Sequence, residues 1–292
     1  MKLKWKNPAA PGPQVRENNG VIWLSYPMLE QCPGVRNAFS TREGGVSQGI
    51  WSTMNLSYTR GDDPEHVTEN YRRFAAAAGF RTEDIVSSDQ THTTNVRHVT
   101  EKDRGSGITR EREFHDTDGL ITDTPGVVLA TYYADCVPLY FVDPVHRAIG
   151  LSHSGWRGTV HRMGAATIEA MRETFGTNPS DLLTAIGPSI CQDCYEVSED
   201  VIEQFAAAFP AELHNTLYYR KPNGRYQLNL WEANRRILLE SGVPAAQIQM
   251  PNLCTCCNPT ALFSHRATQG KRGNLAAFLW ITATATETKL SK

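Results

Sequence analysis

Cys136 and His153 stand near the two ends of the stretch ADCVPLYFVDPVHRAIGLSHSGWRG, residues 134–158, with Asp143-Pro144 between them. A thiolate and an imidazole are metal ligands, and they are also a thiol nucleophile and its base. Residues 137–142 and 147–152 are apolar runs that read as two strands, and Asp-Pro opens a type I or II turn. A turn centred between Pro144 and Val145 makes Cys136 and His153 cross-strand neighbours on one face, with Cβ atoms ~5 Å apart. At that distance they can share one metal ion or one proton. A one-residue bulge would send them to opposite faces. The plainer alternative is a small buried thiol and a satisfied core histidine. The residues after His153 favour chemistry. SHSGWRGTV crowds Ser, Gly, Trp and Arg where a strand passes into a helix. The free N–H groups of a helix start and the planar fork of Arg157 would seat an anion, the alternative for Arg157 being a plain surface arginine. His92, in SSDQTHTTNV, is a third candidate at the end of another apolar run. His66, His98, His115, His146, His161 and His214 read as surface or helix-face residues.

The chain that must position these groups has 292 residues, 40% of them hydrophobic and 21% charged, with a formal net charge of −2. It is long enough for a real core and carries no field of one sign to attract nucleic acid or anionic lipid. No apolar run reaches the ~18 residues of a membrane helix. The opening MKLKWKNPAAPGPQVRENNG has no apolar core of a secretory signal, so residues 1–19 read as an extended lead-in, 20–284 as a single domain and 285–292 as a tail. Seven cysteines, an odd count, argue for a reducing cytoplasm over a disulfide framework.

Four helices are expected. The first follows Asp63-Pro64, with Val67, Tyr71, Phe74 and Ala78 as its stripe and Gly79 as its stop. A second runs from near Arg157 to Gly176, a third from Ser198 to Pro210, and a fourth over about 229–241. Strands are expected over 20–26, 84–92, 119–123, 127–133, 138–143, 148–153, 182–187 and 276–282. Helices and strands mix without strict βαβ alternation. This predicts an α+β fold of mixed α/β layers, with β-sheets flanked by helices, and excludes a Rossmann domain. GGVSQG (44–49) has neither the spacing of a dinucleotide loop nor the lysine of a P-loop.

Several segments together resemble one family: STREGGVSQGIWSTMNLS (40–57), DQTH (89–92), DGLITDTPGVVLATYYADCVPLYFVDP (118–144), SHSGWRGT (152–159), AIGPSICQDCYEV (185–197), LNLWEANRRIL (228–238), CTCCNPTALFSHR (254–266) and GKRGNLAAFLWI (270–281). The chain is similar over roughly residues 20–282 to the YfiH/YlmD family. These are also called polyphenol oxidase or laccase-domain proteins, and are described as purine nucleoside phosphorylases. The resemblance implies one YfiH-like domain, of the same type as CNF-type cysteine hydrolases. It implies one zinc ion per chain held by His92, Cys136 and His153. Three ligands leave a fourth position open, the arrangement of a catalytic zinc. The implied activity is phosphorolysis of adenosine, inosine, guanosine and methylthioadenosine to base and ribose 1-phosphate, with adenosine deamination beside it. The protein is expected to be a monomer or weak homodimer. Phosphate at an oxocarbenium-like ribose needs positive partners, and Arg42, Arg157, Lys271 and Arg272 are the candidates. Asn55 and Gln90 are candidates for ribose hydroxyls or the base edge, the alternative for all six being loop capping or surface charge.

Other readings stand beside this one. Cys136 with His153 as base would suit an amidase that edits peptidoglycan precursors. A non-catalytic interaction module would use zinc only as a brace. A multicopper oxidase is disfavoured, because no His-x-His pair occurs anywhere in the chain. Cys191-x-x-Cys194 and Cys254-x-Cys256-Cys257 have the spacing of a second, structural zinc site, although buried thiols are the favoured reading of them.

Overall fold

The computed structural model describes residues 1–282. The expected tail over 285–292, and the last two residues of the expected domain, lie outside them. Two six-stranded sheets dominate. In spatial order the first is β1 (Gln14–Asn18), β2 (Val21–Ser25), β3 (Val35–Ser40), β15 (Leu275–Ile281), β7 (Val128–Tyr133) and β4 (Ile85–Ser87). The second is β14 (Ile248–Gln249), β10 (Leu183–Ile186), β8 (Val137–Asp143), β9 (Ala148–Ser154), β6 (Gly119–Thr122) and β5 (Val96–His98). Both are mixed, since β4 runs parallel to β7, β5 to β6 and β14 to β10. A small third sheet orders β11 (Glu196–Val197), β13 (Tyr226–Leu228) and β12 (Tyr218–Arg220).

The period of two along each strand builds the layers. Leu275, Ala277, Leu279 and Ile281 of β15 meet Tyr140, Val142, Ile149 and Leu151 of β8 and β9 in one core between the sheets. The alternate residues Ala276, Phe278 and Trp280 face Val67, Tyr71 and Phe74 of helix α1 (Pro64–Ala78). On the far side, Leu139 and Phe141 meet helices α3 (Met163–Phe175), α4 (Glu199–Ala208) and α6 (Leu230–Glu240) through Ile168, Met171, Phe205 and Ile237. The order of layers is therefore helix, sheet, sheet, helices, the mixed α/β architecture expected. Short helices α5 (His214–Leu217) and α7 (His265–Thr268) complete the set.

Helix α1 begins and ends where its caps predict: Asp63 accepts a hydrogen bond from Glu65 N, and Gly79 turns left-handed at φ 87°. The single helix expected from Arg157 to Gly176 is instead two, α2 (Trp156–Val160) and α3, broken at Arg162 with φ 62°. The break lets α3 lie close on the sheet: a Cβ at Gly150 would come within 3.0 Å of Met171 Sδ. Strand β1 falls within the segment 1–19. Asn19-Gly20, both with positive φ, joins it to β2 as a two-residue hairpin. Further back, Trp5 bridges to Leu253.

The β8–β9 hairpin carries a register correction. Pro138 lies opposite His153 and Asp143 opposite Ala148, so the turn is centred between Val145 and His146. Asp143 Oδ1 accepts from the N–H groups of Val145 and His146 at 2.9 and 3.0 Å, and Arg147 is left-handed at φ 53°. That Asx-type cap makes a four-residue loop. Moving the centre by one residue displaces the pairing by two, so Cys136 and His153 keep the same face, as diagonal rather than direct neighbours.

Candidate metal centre and active site

Along β9, Ile149 and Leu151 belong to the core between the sheets, and His153 continues that face to its end. Cys136, one residue before β8, packs on the same core. His92 arrives from the loop after β4. The strand expected over 84–92 stops at Ser87 because polar side chains take over the pairing. The Gln90 amide accepts from Tyr132 N at 2.6 Å and donates to Tyr132 O at 2.8 Å, doing for β7 what a strand backbone would do. His92 then adopts φ 68°. One ligand atom from each of His92, Cys136 and His153 lies within 4.8 Å of the others.

Asp118, not singled out in the sequence, organises this trio. Its Oδ1 lies 2.7 Å from His153 Nδ1, and its Oδ2 accepts from Thr91 N and Thr93 N at 2.9 and 3.0 Å. One buried carboxylate thus fixes the ring of one histidine and the turn that carries the other. It leaves His153 Nε2 free to face Cys136, the carboxylate–histidine–metal arrangement of zinc proteins. Gly155 makes the space, since a Cβ there would meet Cys136 Sγ and His92 Cδ2, each at 3.1 Å. The neighbouring Asp135 has φ 90° and is held by three bonds: Ile190 N to its carbonyl, and Thr255 Oγ1 and Arg266 N to its carboxylate.

The electrostatics follow. Burial pushes the Cys136 thiol up, but the adjacent His153 and His92 rings outweigh it and bring the pKa down to about 6. Burial depresses His153, while the Cys136 sulfur and Asp118 raise it to about 9. Burial would raise Asp118, and its bonds from His153, Thr93 and Thr91 hold it below the usual carboxylate range. Two nitrogens and one polarised sulfur, with an outer carboxylate and no fourth protein ligand in the group, fit zinc with an open position. Asp118→Asn should weaken metal affinity about 10–100-fold, because the amide presents an N–H either to His153 or to the donors of Thr91 and Thr93. Competition with a chromophoric chelator reads this, and an unchanged affinity would remove Asp118 from the centre.

The trio lies on a cavity of about 260 Å³ that is also lined by Tyr58, Arg60, Tyr71, Asp89, Gln90, Arg112, Tyr132 and Arg272. Of the candidate substrate contacts, Gln90 and Arg272 line it. Gln90 spends its amide on Tyr132, so its place is structural. Arg42 is tied to Ser52 O and Pro259 O at 2.8 and 2.7 Å and stacks on Phe263, outside the cavity. Asn55 is fully buried and bonded to Asp62, Ser57 and Asn274 N. Arg157 is exposed on the Trp156 ring, and Lys271 is exposed; neither lines the cavity.

Arg272 is different. It is buried, its Nε has no partner, and Nη1 bonds Gly273 O and Asn274 Oδ1. Burial and then the neighbouring Arg60 charge lower its pKa to about 10. Arg60 sits in a polar loop, YTRGDDP, with no motif around it to mark it. Among the described residues its guanidinium has no ion pair or hydrogen bond. Two cations facing one cavity without a carboxylate on either are poised for an anion. Arg112, by contrast, is already engaged by Asp89 and Ser87.

Comparison with known proteins places the chain among relatives. The purine nucleoside phosphorylase YlmD of Bacillus subtilis is 38% identical over 245 residues, covering 82% of this chain and 86% of that protein. An adenosine deaminase, RL5, from an unknown prokaryotic organism is 36% identical over 231 residues, 78% of this chain and 87% of that one. The crystal structure of YlmD from Geobacillus stearothermophilus superposes with a TM-score of 0.86 at 35% identity, covering 94% of this chain and all of that chain. Residues 36–282 match the family model described as multi-copper polyphenol oxidoreductase laccase, and with relatives named YlmD and a matching YlmD structure the chain belongs to that family, the YfiH/YlmD proteins.

Proposed function

We propose that this protein is a zinc-dependent purine nucleoside phosphorylase that also deaminates adenosine. One observation carries the reading: the His92–Cys136–His153 centre and the Arg60–Arg272 pair open onto the same cavity. Relatives named as a phosphorylase and as a deaminase support the two chemistries. When bound, zinc supplies a Lewis acid at an open coordination position. The chain supplies the rest. Arg272 and Arg60 bind and orient phosphate. A phosphate oxygen forms a bond to ribose C1′ as the bond from C1′ to the base breaks, and the base leaves with the bonding pair and takes a proton. Tyr58 and Tyr71, stacked with ring centroids 5.8 Å apart, and Tyr132 give an aromatic flank for a purine. Adenosine, inosine, guanosine and methylthioadenosine share the purine and ribose parts this cavity would hold.

The experiment is incubation of the zinc-loaded protein with adenosine, with and without phosphate and chelator, followed by separation of adenine, hypoxanthine and inosine. Phosphate-dependent adenine and phosphate-independent inosine are expected, both lost on chelation. No turnover by metal-loaded protein would overturn the proposal.

A second reading has its own observation: Cys136, His153 and Asp118 line up as nucleophile, base and orienting carboxylate. An amidase acting on peptidoglycan precursors would use them without metal. Hydrolysis of such a precursor that persists after complete chelation would favour it over the phosphorylase.

A further inference from the structure

Outside the cavity, the fold gathers four of the seven cysteines. The sulfurs of Cys191, Cys194, Cys254 and Cys257 all lie within 4.8 Å of one another. Cys194 Sγ is 3.5 Å and Cys191 Sγ is 4.0 Å from Cys257 Sγ. Four thiolates around zinc, with Zn–S near 2.3 Å and tetrahedral angles, sit ~3.8 Å apart. A disulfide needs ~2.05 Å, and all seven cysteines are free. The four come as two C-x-x-C turns, 191–194 and 254–257, the ligand spacing of structural zinc sites.

The surroundings fit thiolates better than packed thiols. Two backbone N–H groups are aimed at one sulfur: Cys191 N and Cys257 N donate to Cys254 Sγ at 3.2 and 3.4 Å. Lys6 pairs with Asp193, inside the first cysteine turn, at 2.5 Å and so ties the N-terminal segment to it. We infer that Cys191, Cys194, Cys254 and Cys257 bind a second zinc ion, structural and closed. It departs from the single ion per chain that the resemblance implies, and it stands apart from the activity proposed above.

The ion would staple two segments, on which a third is docked. The two cysteine turns are already joined by a parallel bridge between Ser189 and Cys254. The N-terminal segment docks on them, with Lys4 N donating to Asn258 Oδ1 at 2.7 Å and Asn258 Nδ2 donating to Cys254 O at 2.8 Å. The same turns supply Ile190 N and Thr255 Oγ1 to Asp135, the residue that presents Cys136. The brace therefore reaches the other centre through Asp135.

The test separates the two sites. The full chain, purified reduced with zinc, should carry about two zinc ions per chain by elemental analysis. A His92→Ala/Cys136→Ala variant should keep about one, and Cys194→Ser should lose about one. Cys256→Ser, whose sulfur is outside the group of four, should keep both. Cobalt substituted into the His92→Ala/Cys136→Ala protein should show the strong thiolate-to-metal bands of a multi-sulfur site. This readout holds even if Cys194→Ser does not fold. A folded His92→Ala/Cys136→Ala protein that takes up no zinc and shows no such bands would overturn the inference. So would a disulfide among these four in the reduced protein, or iron in place of zinc.

Discussion

Cys136→Ala should abolish turnover of adenosine, with kcat/KM reduced at least about 100-fold, while the protein stays folded. The lower bound follows from the 10–100-fold that outer-sphere partners of a metal are worth; a direct ligand counts for more. Alanine fits the site because Cys136 is half-buried at the end of the core and the change removes only its sulfur. Its loss removes the sulfur from the trio and leaves Asp118 and His153 paired. His153→Ala should be equally inactive but less stable. There Asp118, with no solvent exposure, loses its partner at 2.7 Å. Leaving a buried charge uncompensated costs about 3–5 kcal/mol, and the two N–H donors on the other carboxylate oxygen place this case at the low end. Thermal melts of metal-free proteins, with metal content and rates beside them, check the pair. Full activity in Cys136→Ala would end both the metal-centred proposal and the thiol-nucleophile reading. Equal melting temperatures for the two variants would mean that Asp118 does not depend on His153.

What could be read from the residues was whatever depends on local pattern. Asp63-Pro64 and Gly79 bound α1 because caps act within one turn of the chain. Cys136 and His153 share a face because strand parity survives an error of two in register, even though the Asp143 side chain lengthened the turn. The family motifs carried His92. Other features depend on which strands become neighbours. Asp118 precedes β6, and it reaches His153 only because β6 lies beside β9 in the second sheet, Gly119 opposite Ser152. Arg60 sits in YTRGDDP, where nothing local distinguishes it from a solvated loop charge. Arg42 and Asn55 were attractive by type, yet each is consumed by backbone partners from segments far away in sequence. Strand β1 is legible in Asn19-Gly20, the strongest kind of short hairpin signal, but it stands in a segment whose prolines point instead to an extended lead-in. The two C-x-x-C turns were visible as spacings, but only the Ser189–Cys254 bridge brings them face to face.

Arg272→Met should separate the two proposed activities. Phosphorolysis should fall about 10–150-fold in kcat/KM for phosphate, the equivalent of one charge-assisted bond at about 1.5–3 kcal/mol. Inosine formation without phosphate should change far less. The reason lies in the free protein. Arg272 is 7% exposed, its Nε is unpartnered, and after burial it is the like charge of Arg60 that most lowers its pKa. A buried cation held against a like charge destabilises the fold, and the cost is recovered only when an anion arrives. Methionine keeps much of the volume and removes the charge, so the variant should melt no lower than the parent and should gain nothing from phosphate. The parent should be stabilised by phosphate according to its occupancy, about 2.7 kcal/mol at a hundredfold excess over Kd. Arg60→Met should weaken phosphate in the same direction and by less, because Arg60 is solvent-exposed and a flexible exposed charge binds an anion less tightly than a buried, oriented one. Melting curves with and without phosphate, beside initial rates for both products, decide the matter. If phosphate shifts the melting of Arg272→Met as much as that of the parent, the anion sits elsewhere. If both products fall together, Arg272 serves the nucleoside rather than the phosphate.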